Sequence, residues 1–166
     1  MKLDAKKITK TAAIAALYAA LTLVLTPISY GPLQFRVSEI MVLLAFVDPL
    51  YIIGLTIGCF IANMLGPNGI MDVIFGTLAT FMSVSAIALT KRMQKKDTHL
   101  IATLCIASIW PTLFNGLIIG WMLHYVYNFP LLLTIGQVAL GEVVVVSLVG
   151  VPIFAFLFHK YKNFLV

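Results

Sequence analysis

Apolar residues run along this chain in long blocks separated by short polar stretches. The blocks fall at about 8–29, 37–65, 72–91, 99–123 and 130–158. About 20 apolar residues suffice for a helix to cross a hydrocarbon core about 30 Å thick. In lipid, only helices and closed barrels satisfy every backbone hydrogen bond. The pattern therefore predicts an all-α integral membrane protein, a single transmembrane domain over residues 1–166. Too little polar sequence is left for a separate soluble domain.

The block at 37–65 is 29 residues long and fits either one tilted helix or two short ones. Asp48-Pro49 divides it, and the residue before a proline is biased away from helical geometry. Charge decides between the two readings. Lysines and arginines gather at 2, 6, 7 and 10, at 91, 92, 95 and 96, and at 160 and 162. Cytoplasmic loops carry such excesses. All three clusters share one side only if the 37–65 block goes in and returns, as two short spans or as a re-entrant hairpin. Ten of the eleven basic residues then obey the rule, and Arg36 is the exception. The expected architecture is a bundle of six transmembrane helices with short second and third helices and both termini cytoplasmic. The first apolar run, from about Thr11 to Ile28, reads as a retained span; it is longer than a signal-peptide core and has no convincing cleavage site.

Composition agrees. Hydrophobic residues make up 61% of the 166 and charged ones 10%, against roughly a quarter charged in soluble domains. Mean hydropathy is +1.06. The net charge of +5 arises from the clusters flanking the spans and forms no continuous basic face for nucleic acid. Cys59 and Cys105 lie inside apolar segments, with no CxxC pair and no metal-ligand spacing; no metal or cofactor is expected. Enzyme chemistry finds no support either. His99, His124 and His159 stand apart from one another and from carboxylates, HExxH is absent, and Ser83, Ser85 and Ser108 have no histidine at comparable depth.

Polar residues collect instead on the predicted outer side, in "YGPLQFRVSE" at 30–39, "NMLGPNGIMD" at 63–72 and "HYVYNFP" at 124–130. They mix hydrogen-bonding groups with aromatic rings, a composition suited to a small polar ligand. Tyrosines at a membrane surface are also ordinary interfacial residues. Arg36 and Glu39, spaced i,i+3 at a helix start, can pair on one face, or they can hold a ligand. Glu142, about 12 residues into the last span, is costly at that depth. It reads either as a functional carboxylate or as packing glue, with Gly136 and Gly141 allowing close helix approach. In the first span, Ala12, Ala16 and Ala20 form a stripe flanked by Ala15 and Ala19. Such stripes admit a neighbouring helix, inside the molecule or from a partner.

The first-helix alanines, "YGPLQFRVSE", "DP" and "GPNGIMD" together resemble the QueT family of S components, the substrate-binding membrane subunits of energy-coupling-factor (ECF) transporters. The resemblance spans the whole chain. It implies a multi-pass cell-membrane protein that captures a micronutrient from outside and works with a transmembrane coupling subunit and two cytoplasmic ATPases. Ala12, Ala16 and Ala20, with Ala15 and Ala19, would contact the coupling subunit. Substrate-binding candidates are Tyr30, Gln34, Arg36, Glu39, Asn68, Asp72 and Tyr125. The implied substrate is a queuosine precursor, a deazapurine with a cationic group that Glu39 or Asp72 could meet, or cobalamin, whose phosphate Arg36 could meet. The short helices of 37–65 suggest a broad depression and tilt the expectation toward a cobalamin-size ligand. The chain contains no GxxxxGK[ST] phosphate loop, so energy would come from the partners. The rival reading is a self-sufficient transporter driven by an ion gradient, with Glu142 carrying the proton.

Overall fold

A computed structural model describes residues 4–31, 33–94 and 99–165. Lys2, Lys95 and Lys96 of the basic clusters lie outside them. Every regular element among the described residues is helical: α1 (Ala5–Val24), α2 (Thr26–Ser29), a 3-10 helix (Val37–Phe46), α3 (Leu50–Leu65), α4 (Gly69–Met93), α5 (Leu100–Ala107), α6 (Ile109–Tyr127), α7 (Leu131–Glu142), a π segment (Val143–Gly150) and α8 (Val151–Leu165). Among these residues, four stretches are long and apolar enough to cross a bilayer: Ala5–Val24, Gly69–Met93, Leu100–Tyr127 and Leu131–Lys160. Val37–Phe46 and Leu50–Leu65 are apolar but shorter. Large apolar side chains such as Leu17, Ile57, Phe81, Leu117 and Leu148 face outward, as lipid allows. This is a multi-pass membrane protein.

The breaks have local causes. The 37–65 block parts at Asp48-Pro49, where the Asp48 carboxylate accepts the Leu50 N–H at 2.8 Å and starts α3. The 99–123 run parts at Ser108. Pro111 has no N–H to give the Ala107 carbonyl four residues back, and α5 ends at Ala107. A ten-residue 3-10 helix is unusually long, since that geometry is normally confined to three or four residues. It follows an irregular loop in which Gln34 takes a positive φ of 44°.

Small residues set the spacing of the bundle. α1 lies on α3 where a Cβ on Gly54 would stand 2.8 Å from the Thr11 carbonyl, and one on Gly58 2.8 Å from that of Ala15. α6 meets α7 in the same way, Gly120 against the Ile135 backbone and Gly116 against Ala139. Gly136 has open space around it, so only Gly141 of the expected pair permits a close approach. Its neighbour is the Leu33 carbonyl of the 30–36 loop, which rests directly on the end of α7. The 3-10 helix and the π segment pack together inside the bundle, with Gly150 against Ile40 and Leu43. Around them lies the main core, including Tyr18, Val42, Leu43, Phe46, Leu55, Val84, Ile87, Leu104 and Val146.

Candidate functional site

Where the 30–36 loop meets the start of the 3-10 helix, polar groups enter the interior. Arg36 is 4% exposed and Asp72, in the first turn of α4, is fully buried. The Arg36 Nη2 donates to Asp72 Oδ2 at 2.9 Å, and its Nε reaches the Ser29 carbonyl at 3.3 Å. Its guanidinium carbon lies 4.9 Å from the centroid of the Tyr30 ring, a cation–π placement. Tyr30 in turn donates to the Ala62 carbonyl at 2.6 Å. Burial pushes its hydroxyl up to about 12, so it remains a donor across the physiological range. Arg36 thus pairs across elements with Asp72 and not with Glu39. The reason is local: Arg36 caps the 3-10 helix in extended geometry, φ −82° and ψ 94°, so the i,i+3 relation of a helical face does not hold for it.

Glu39 turns into the core, 1% exposed. One carboxylate oxygen accepts the Tyr18 hydroxyl from α1; the other, Oε2, is buried without a hydrogen-bond partner. Next to it, Thr22 and Ser38 share a hydrogen bond at 2.6 Å. Further along, Asn63 donates to the Asp72 carbonyl at 3.1 Å and to the Cys59 sulfur at 3.3 Å, and Thr80 donates to the same sulfur at 3.2 Å. Cys59 is therefore part of a polar seam between α3 and α4. At the far side of the loop, Glu142 is buried and accepts the Asn115 amide at 2.6 Å through Oε1. Gln34 Nε2, Asn63 Oδ1, Asp72 Oδ1 and Glu142 Oε2 are also buried without partners. Buried polar atoms are almost always satisfied in native structures, so these bare groups mark the region around the 30–36 loop as the candidate site.

The candidate residues divide. Tyr30, Gln34, Arg36, Glu39 and Asp72 come together in or beside the interior, and Asn68 joins them at the rim, 3.4 Å from Asp72 Oδ2. Tyr125 stands apart, exposed and stacked on Trp121. Its near neighbour Tyr127 donates to Asn68 Oδ1 at 3.3 Å. With Tyr30, Asn68, Leu123 and Phe129 it lines an opening of about 190 Å³. Two loop groups are structural: the His124 ring is bonded to the Phe129 carbonyl at 2.5 Å, and Asn128 ends α6 in left-handed geometry. Tyr18 and Asn115 escaped sequence reading because a single tyrosine or asparagine in an apolar helix carries no periodic signal, whereas Asn63 was legible as the first residue of the polar 63–72 stretch.

The alanine stripe also divides. Ala15 and Ala19 are buried, Ala15 beneath Gly58, while Ala12, Ala16 and Ala20 are exposed. An apolar groove of about 430 Å³ runs along Ala12, Ala15 and Ala16, lined also by Ile8, Thr11, Ile53, Ile57 and Ile61.

The family described as QueT transporter matches residues 8–159. The chain belongs to the QueT transporter family. A relative from Lactococcus lactis subsp. cremoris (strain MG1363), named queuosine precursor transporter QueT, is 41% identical over 136 residues, covering 79% of this chain and 80% of its own. No solved structure matches. Membership places the 30–39 loop, the Asp72 turn and Glu142 inside the family's matched region.

Proposed function

We propose that this QueT-family protein is the S component of an ECF-type importer and that it captures a queuosine precursor from outside the cell. The observation that carries this reading is the set of buried, unpartnered polar atoms around the 30–36 loop: an amide N–H₂ from Gln34 and carboxylate oxygens from Glu39, Asp72 and Glu142. A flat deazapurine offers ring N–H donors to carboxylates and a ring carbonyl to an amide. Gln34 and Glu39 read that edge, Arg36 and Asp72 hold the loop in place over it, and Tyr30, Asn68 and Tyr127 form the mouth. Tyr127, and not Tyr125, is the tyrosine suited to that task.

This reading favours the smaller ligand over cobalamin, to which a broad depression above the short helices would be suited, whereas the 3-10 helix is packed against the π segment. The mouth, at about 190 Å³, is below the roughly 300–1,000 Å³ of pockets for drug-sized ligands. The name of the Lactococcus relative favours the same substrate.

In this reading the molecule is a single domain that crosses the membrane six times. The 3-10 helix and α3 are its second and third crossings, and both termini are cytoplasmic. Exposed Ala12 and Ala16 along the apolar groove, with Ala20, form the face for a transmembrane coupling subunit, which two ATPases energise. Binding and uptake separate the reading from its rival. Purified protein alone should bind an aminomethyl-deazaguanine with nanomolar affinity, about −12 kcal/mol. Cells should accumulate it only when a coupling module is co-expressed. Uptake by this chain alone, abolished by collapsing the proton gradient, would establish the gradient-driven transporter in its place.

A further inference from the structure

Two irregular helices meet inside the bundle, and each begins at a buried carboxylate. Glu39 lies in the first turn of the 3-10 helix, and Glu142 immediately precedes the π segment. The two segments pack along one another through Gly150, Ile40 and Leu43. At the loop end, Gly141 lies against the Leu33 carbonyl with Gln34 adjacent. The loop backbone at Leu33 and Gln34 thus sits one residue from Glu142, and Glu39 and Arg36 both act electrostatically on Glu142. Irregular helical turns of this sort recur at functional sites, because they redirect a side chain that an α-helix would place elsewhere.

The two carboxylates are not equivalent. Glu39 is tied to Tyr18 and stands three residues from the Arg36 guanidinium. Glu142 has only a neutral amide, Asn115, on one oxygen, and its other oxygen is buried and bare. No lysine or arginine stands on α6, α7 or the π segment. A carboxylate at this depth in a membrane is costly without a positive partner, and Arg36 is already committed to Asp72.

We infer that Glu142, oriented by Asn115, is the specificity-determining residue that pairs with a cationic amine on the ligand, opposite Glu39, which takes the ligand's neutral N–H edge. The ligand class is a flat heterocycle with hydrogen-bond donors on one edge and a protonated amine on an arm at the other. This assignment rests on the function proposed above and adds to it which carboxylate reads the charge.

The test compares two probes that differ only in the arm, 7-aminomethyl-7-deazaguanine and 7-cyano-7-deazaguanine, by calorimetry on the purified full-length protein. Wild type should prefer the amine by on the order of 10- to 100-fold, the span expected for one charge-assisted hydrogen bond. E142Q keeps the shape and the Asn115 contact but removes the charge. It should bind the two probes within about threefold of each other. Should E142Q fail to fold, E142D, which withdraws the charge by one methylene, should weaken the amine alone. Equal binding of both probes by wild type overturns the inference while leaving the substrate reading intact, as does an undiminished preference in E142Q. Binding of neither probe by wild type overturns both.

Discussion

Arg36 and Asp72 form an ion pair removed from water on both sides, and such a pair is more dangerous to break than to replace. Taking away one partner leaves an uncompensated buried charge at a cost of about 3–5 kcal/mol, whereas apolar substitution of both can be neutral. Asp72→Ala should therefore lower the detergent melting temperature sharply, and the double variant Arg36→Met/Asp72→Leu should recover most of it. Ligand binding should not return with stability, because the 30–36 loop would have lost its anchor. A double variant that melts no higher than the single would mean that the pair itself holds the fold. Gln34 makes a related point. A non-glycine residue at positive φ is uncommon and tends to persist where function needs it. Gln34→Gly should relieve the backbone and leave the melting temperature level or higher, while weakening ligand binding through loss of the amide.

At the scale of elements, glycines decide which helices touch. Gly58 brings α1 close enough for Tyr18 to reach Glu39. A Cβ there would meet the Ala15 carbonyl at 2.8 Å and Tyr18 Cβ at 2.9 Å, neither of which can swing away. Gly58→Ala should push α1 outward, lowering both the melting temperature and the ligand affinity. Gly136→Ala, with nothing within 4 Å, should do the reverse for stability and add about 0.5–1 kcal/mol, the usual gain in a helix interior. Thermal melting of the two variants side by side tests the packing with identical chemistry. If they melt alike, α1 and α3 are not in close contact at Gly58.

At the scale of the whole molecule, α1 faces two ways. Its buried side carries Tyr18, Ala15 and Ala19, and its outer side carries Ala20 together with Ala12 and Ala16 along the apolar groove. A bulky residue on the outer side should leave ligand capture untouched and block the partner. Ala16→Trp should bind the aminomethyl probe as wild type does, yet fail to support uptake with a co-expressed coupling module. Loss of binding in this variant would place the stripe inside the fold's own packing.

Much of this architecture is legible in the chain because lipid imposes it. Apolar runs of spanning length must become helices, Asp48-Pro49 and Pro111 must interrupt them, and the one arginine that defied the charge asymmetry, Arg36, proved to enter the interior. These are local or one-dimensional constraints, readable residue by residue. Partner choice is not. Arg36 bonded Asp72 across 36 positions, and Glu39 bonded Tyr18 across 21, because the extended loop before the 3-10 helix turns the two side chains apart. The division of the alanine stripe into buried and exposed halves followed from where Gly54 and Gly58 let α3 approach. Glu39 and Glu142 each stand at the start of an irregular segment, and that the 3-10 helix and the π segment pack together was signalled by no periodicity. Hydrophobic length acts along the chain and is written in it; the meeting of buried charges depends on three-dimensional approach, which the tertiary structure alone decides.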